Sequence, residues 1–260
     1  MTYRLLPLLL FFLWIATPSA NSANSPAQRP GVLGAEDHRV PQEPDEFPWS
    51  SIGRVNREGG GFCTGALIGP RTVLTAAHCL YDTRQRRWLH AHELHFVAGY
   101  ARGEFRAHEI AAKITMDSKY RRDHAPAPAD LAHDWAILTL RAAVALRPIA
   151  WRPLPVTEMA AMVGAGELVR AGYGRDRSHL LAIHRGCSVV SGDLAQHGAL
   201  LHRCDSAPGD SGSPLLLFDR GTPSIIGIHV AILGRSEERV GAAVPTIAFD
   251  AAARAATTFP

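Results

Sequence analysis

Cys204-Asp205-Ser206-Ala207-Pro208-Gly209-Asp210-Ser211-Gly212-Ser213-Pro214 is the stretch that decides how the chain is read. It sets a serine at a tight turn between two glycines. Glycine tolerates unusual dihedrals and lets another chain approach closely, so the Ser211 hydroxyl can point outward while the backbone N–H groups around it converge on one spot. Acyl transfer needs that arrangement. A serine hydroxyl is a poor nucleophile at neutral pH until a neighbouring base takes its proton, so the partners must come from elsewhere in the chain.

Two upstream segments offer them. Thr75-Ala76-Ala77-His78-Cys79 holds a histidine in a small-residue turn, and Asp134-Trp135-Ala136-Ile137-Leu138 holds a carboxylate at the head of an apolar strand. Imidazole is the side chain whose ordinary titration range suits taking a proton from serine and returning it to a leaving amine. A carboxylate behind the ring fixes its tautomer. Triads on unrelated folds run in different chain orders, and His78, Asp134, Ser211 is the order of the two-barrel arrangement. The Gly-x-Ser-x-Gly elbow of α/β-hydrolases is missing, since Gly212 follows Ser211 with no spacer.

These segments, with Cys63-Thr64-Gly65, resemble the trypsin-like serine proteases. Ser213, Gly227-Ile228-His229 and the entry Pro48-Trp49-Ser50-Ser51-Ile52-Gly53-Arg54 resemble the V8-like, glutamyl endopeptidase-like branch of that family. The likeness covers roughly residues 35 to 250. It implies an all-β chymotrypsin-like fold of two six-stranded antiparallel barrels, a His78-Asp134-Ser211 triad, and an oxyanion hole from the N–H groups of Gly209 and Ser211. It also implies pairing of Cys63 with Cys79, which leaves Cys187 with Cys204. Under the loop-entropy account each bridge would stabilise the fold by about 3 kcal/mol. By position, Asp205, Ser206 and His229 fall at the primary substrate pocket. Asp205 read alone suggests a basic residue before the cut. Ser206 with His229 suggests an acidic one, and a third reading makes Asp205 and His229 structural.

Residues 1 to 20 combine Arg4, an uncharged run from Leu5 to Thr17 and Pro18-Ser19-Ala20. That is the pattern of a secretory signal peptide, and the run is shorter than the ~20 residues a spanning helix needs. Residues 21 to 39 read as a leader or propeptide, with the protease domain over 40 to 260. A cut after Arg39 would expose Val40, and in zymogens of this fold the freed ammonium pairs with the carboxylate before the nucleophile, here Asp210. Export to the cell exterior or periplasm makes disulfides the expected state of the four cysteines.

With 260 residues, 47% hydrophobic, and a net charge of +3, the chain is too weakly charged to argue for nucleic acid or an anionic membrane as partner. The expected partners are protein or peptide substrates, the expected state a monomer without cofactor or metal. Short strands between turn signals are expected over Ile52 to Asn56, Phe62 to Ile68, Arg71 to Leu74, Glu93 to Gly99, Phe105 to Ile114, Ala136 to Leu140 and Leu168 to Gly172, with a closing helix from about Ala248 to Ala256 and no other long helical periodicity. The segment from Tyr120 to His133 reads as an inserted surface loop. His90, His92 and His95 lie within six positions, but on a strand His95 would point away from the other two, and the spacing misses the His-Glu-x-x-His zinc helix. Two other classes stay open at this stage: a catalytically inactive protease-like binding module and a metal-dependent hydrolase.

Overall fold

The computed structural model describes residues 31–34, 36–121, 128–190, 198–234 and 238–258. The expected signal peptide and the leader up to residue 30 lie outside the described residues. So does part of the segment expected as an inserted loop, residues 122–127.

Strand β1 (Val40–Gln42) comes first, followed by β2 (Ile52–Arg57), β3 (Phe62–Gly69) and β4 (Thr72–Thr75). A small hairpin, β5 (Tyr81–Asp82) and β6 (Arg87–Trp88), leads to β7 (Leu94–Ala98), β8 (Ala107–Met116) and β9 (Ala136–Leu140). The order β2-β3-β4-β9-β8-β7 closes into a six-stranded antiparallel barrel. Ile52, Leu67, Leu74, Phe96, Ile137 and Leu138 on its strands are all fully buried, on both faces of the barrel wall. The glycine-rich turn 58–61 joins β2 to β3 as the sequence suggests, since Gly60 and Gly61 both take positive φ.

The second half supplies β10 (Glu167–Gly172), β11 (Leu181–Arg185), β12 (Leu200–His202), β13 (Pro214–Asp219), β14 (Thr222–Leu233) and β15 (Val240–Pro245). With β1 they form a seven-stranded sheet in the order β1-β11-β10-β13-β14-β15-β12. The seventh strand is the N-terminal one: β1 adds to the edge of β11, Val40 opposite Ile183. Segment 40–42, read from sequence as the new start of a cut chain, is thus a strand of the second sheet.

Two helices flank the sheets. Helix α1 (Val156–Ala165) was not expected; its Val-Thr-Glu-Met-Ala-Ala-Met-Val-Gly-Ala sequence has only a weak apolar stripe. It forms because the fully buried Met159 packs beside Leu168 and Leu217, so tertiary burial outweighs weak periodicity. Helix α2 (Asp250–Thr258) corresponds to the expected closing helix and packs on the barrel at β3, β4 and β9. Of the three-histidine segment, only His95 lies on a strand, β7. Ala91–Glu93 is a 3-10 turn capped by His90, and Glu93 is tied to the His90 N–H at 2.7 Å and to Arg87 at 2.7 Å. His90 and His92 stack on each other, while His95 pairs with His108 across β7 and β8.

Candidate active site

His78 sits on the 3-10 turn Ala77–Leu80 that ends β4, and the turn is pinned twice to one carboxylate. The His78 backbone N–H donates to Asp134 Oδ1 at 2.8 Å, and the ring Nδ1 lies 2.7 Å from Oδ2. A carboxylate only accepts, so Nδ1 carries the proton and Nε2 is left as a lone-pair base. Asp134 is buried at the head of β9, while the His78 side chain keeps about a fifth of its surface open.

Ser211 arrives from the second half. Its carbonyl accepts the Thr64 N–H at 2.9 Å, and Cys79 Sγ lies 3.8 Å from the same oxygen. Cys79 is next to His78 and is bridged to Cys63, next to Thr64. The nucleophile turn is therefore held against the residues on either side of the histidine loop. Thr64, wholly buried, is the junction. Its hydroxyl donates to the Gly209 carbonyl at 3.2 Å and accepts the Tyr173 N–H at 2.9 Å, and its own carbonyl accepts the Thr75 hydroxyl at 2.7 Å. Among the described residues no hydrogen bond joins Ser211 Oγ to His78; in unliganded sites of this chemistry that bond is often long and tightens in the complex.

Two glycines shape the turn. Gly212 has φ +83°, and a Cβ there would fall on the Thr64 carbonyl and the Thr75 hydroxyl. Gly209 has φ +107°, and a Cβ would come within 2.7 Å of the Tyr173 carbonyl. The Pro208 carbonyl accepts the Arg175 N–H at 2.7 Å. In a trans peptide the following N–H points the opposite way, so the Gly209 N–H faces away from Arg175. The Asp210 N–H is taken by Ala207, whereas no described acceptor takes the N–H of Gly209 or Ser211.

Under this turn lies a group of buried charges. Arg170 Nη1 stands 2.8 Å from Asp210 Oδ1, an ion pair whose approach is off the hydrogen-bonding direction, and both side chains are fully buried. Asp210 Oδ2 accepts the Ala207 N–H at 2.6 Å and has Arg39 Nη1 at 3.8 Å. Arg39 is held in turn by Asp37 at 2.9 Å and Asp176 at 2.6 Å. In the uncut chain Asp210 thus has Arg170 and Arg39 as its counter-charges. Sequence reasoning missed Arg170, although a lone arginine inside Leu168-Val169-Arg170-Ala171-Gly172 is the signal of a buried ion pair.

Of the expected pocket residues, Asp205 is bound by the segment before β1. Its Oδ1 accepts the Leu33 N–H at 2.8 Å, and its Oδ2 accepts the His38 N–H at 3.0 Å with the His38 ring at 3.0 Å. Ser206 and His229 are both buried, with the Ser206 N–H donating to Gly31. His229 lies on β14 beside the nucleophile: the Gly212 N–H donates to its carbonyl at 2.7 Å, and a bulge follows it against β15. Behind it is His202, which the sequence reading passed over. The Cys204 N–H donates to His202 Nδ1 at 3.1 Å, so the neutral ring carries its proton on Nε2 and donates it to His229 Nδ1 at 3.0 Å. That leaves His229 with its own proton on Nε2. Burial, then the charge of Arg170, pushes His202 down to about 3; burial, then His202 and Arg170, holds His229 well below the usual imidazole range. Both rings are therefore neutral donors at ordinary pH.

The second disulfide joins Cys187 to Cys204 and braces the segment leading to Asp205. Among the described residues two groups have metal-ligand spacing. In Cys63, His78 and Cys79 the thiols are oxidised, and in His38, His184 and Asp205 the carboxylate already accepts two backbone N–H groups.

The "Trypsin" family model matches residues 38–252. The chain belongs to the trypsin family. It is similar to the glutamyl endopeptidase of Bacillus licheniformis, 40% identical over 63 residues, or 23% of this chain and 20% of that relative. The matched stretch thus spans about a fifth of the relative's length. The fold is shared with a solved structure described as "Structure of Glu endopeptidase in complex with MPD", at a TM-score of 0.65 and 22% identity over 88% of this chain and 100% of that one. The architecture is thus chymotrypsin-like, a closed barrel and a second sheet followed by a short C-terminal helix.

Proposed function

We propose that this chain is an exported serine endopeptidase that cleaves proteins or peptides through an acyl-enzyme. The observation that carries the reading is the double clamp of Asp134 on His78, with the Ser211 turn hydrogen-bonded to Thr64, whose neighbour Cys63 is bridged to Cys79 of the same loop. Ser211 Oγ attacks the scissile carbonyl while His78 Nε2 takes its proton. The N–H groups of Gly209 and Ser211 hold the oxyanion. As the carbon–nitrogen bond breaks, His78 returns the proton to the departing amine. Water then attacks the acyl-enzyme with His78 again as base, which frees the acid and restores Ser211. Two disulfides and the absence, among the described residues, of a helix long and apolar enough to cross a membrane fit export.

The residue before the cut is acidic in this reading. A basic preference would need a free carboxylate in the pocket, and Asp205 is engaged by Leu33 and His38. The chain from Cys204 through His202 instead leaves the His229 Nε2–H as a donor suited to a carboxylate, and the relative from B. licheniformis is named a glutamyl endopeptidase. No cut at Arg39 is needed, because Arg170 and Arg39 already hold Asp210.

The test compares the purified protein with Ser211→Ala on casein and on fluorogenic peptides that differ only at the residue before the cut. The expected result is turnover by the native protein alone, highest after glutamate. Equal turnover by the two proteins ends the reading. No turnover by either, with peptide still bound, would make the chain a protease-like binding module.

A further inference from the structure

Between the glycine turn 59–61, the hairpin after His78 and Arg175 lies a cavity of about 450 Å³ that the mechanism does not use. Arg57, Arg84 and Arg175 line it together with the glycine turn 59–61 and Asp82. Each wall is tied to the catalytic turn. Arg175 donates its N–H to Pro208, the Gly59–Gly61 turn leads into β3 and Thr64, and Asp82 and Arg84 sit on the hairpin that follows His78.

The charges in this cavity are out of balance. Three arginines face one aspartate, and Asp82 Oδ1 is occupied by the Arg84 and Gln85 N–H groups. Among the described residues none of the three guanidinium groups forms an ion pair, whereas Arg39, Arg87, Arg102 and Arg170 all do. Arg57 Nε is buried without a hydrogen-bond partner. Burial, then the charge of Arg175, lowers the pKa of Arg57, as expected for a cation short of a counter-ion.

The direction of the substrate follows from the chemistry. His78 must protonate the departing amine, so the leaving segment passes on the side of the His78 loop and its hairpin, while the acyl side chain enters the pocket beside His229. We propose that Arg57, Arg84 and Arg175 form a subsite for an acidic side chain within the first three residues after the scissile bond. Resting on the endopeptidase reading, this makes the substrate a peptide with carboxylates on both sides of the cut. Guanidinium groups suit such carboxylates because of their fork of donors.

The test uses two internally quenched peptides with the same glutamate before the cut, carrying either Glu or Gln at the second and third positions beyond it. The expected kcat/KM is about tenfold higher for the Glu peptide, the scale of one good charge-assisted contact. That preference shrinks toward unity in the doubly substituted R84Q/R175Q protein, whose altered residues are exposed, and as ionic strength rises. The Kd of both peptides is also measured with Ser211→Ala. If neither peptide is cleaved but the Glu peptide still binds more tightly, the endopeptidase reading fails and the subsite stands. A Glu-to-Gln ratio within twofold in both turnover and binding overturns the subsite, as does a preference that survives intact in R84Q/R175Q.

Discussion

Arg170 and Asp210 meet 2.8 Å apart, with no solvent access to either, beneath the peptide that carries the nucleophile. Removing one member of a buried pair strands the other charge, which typically costs about 3–5 kcal/mol. Arg170→Met should therefore destabilise the protein by about that amount in urea titration and lower kcat as the Gly209–Ser211 turn loses its anchor. Adding Asp210→Asn should recover part of the stability. An R170M protein as stable as the native one would show that Arg39 alone suffices as counter-ion.

Asp134 holds His78 from two directions, and only the ring contact sets the tautomer. Asp134→Asn should fold normally and lose about 10⁴ in kcat, the scale that holds for this kind of triad. Circular dichroism with steady-state kinetics separates a folding defect from a tautomer defect. A loss under tenfold would place the carboxylate outside the mechanism.

His202 titrates at about 3 in the folded protein and near 6.5 when unfolded. Between those values the unfolded chain binds the extra proton. The stability this histidine contributes is thus complete above pH 6.5 and declines by up to about 1.4 kcal/mol per unit as the pH falls below it. The depressed His229 works in the same direction. Denaturation midpoints measured from pH 7 to pH 4 should fall, and His202→Gln should flatten the profile even if it lowers stability overall.

Gly212 faces the Thr64 carbonyl and the Thr75 hydroxyl at a positive φ. Gly212→Ala combines backbone strain of about 1–3 kcal/mol with displacement of the turn, so activity should fall further than stability. Activity equal to native in Gly212→Ala would mean that β3 can yield, and that the turn is less constrained than its contacts suggest.

Leu33 and His38 donate their N–H groups to Asp205, and Arg39 is buried among Asp37, Asp176 and Asp210. N-terminal sequencing of the secreted enzyme should find a start upstream of Leu33. A start at Val40 would restore the zymogen scheme expected from sequence and remove Arg39 from the machinery.

Most barrel strands were readable because short, largely apolar runs lie between turn signals. β3 and β9 begin and end within a residue or so of where those turns put them. Helix α1 was not readable, since its apolar stripe is weak and only the packing of Met159 makes it form. The seventh strand escaped for a related reason: Val40–Gln42 is a strand only because the β11 edge is there to pair with it.

The chain by itself determined the order His78, Asp134, Ser211, the glycines that the nucleophile turn requires, and four cysteines suited to an oxidising compartment, because those features follow from residue type and local backbone freedom. Tertiary structure alone decided that Asp205 turns to the leader, that Arg170 and Arg39 hold Asp210, and that three arginines crowd one cavity. Each of these is set by which charges the fold brings together away from water, where an unpaired charge is costly and the nearest partner, however distant in sequence, decides its role.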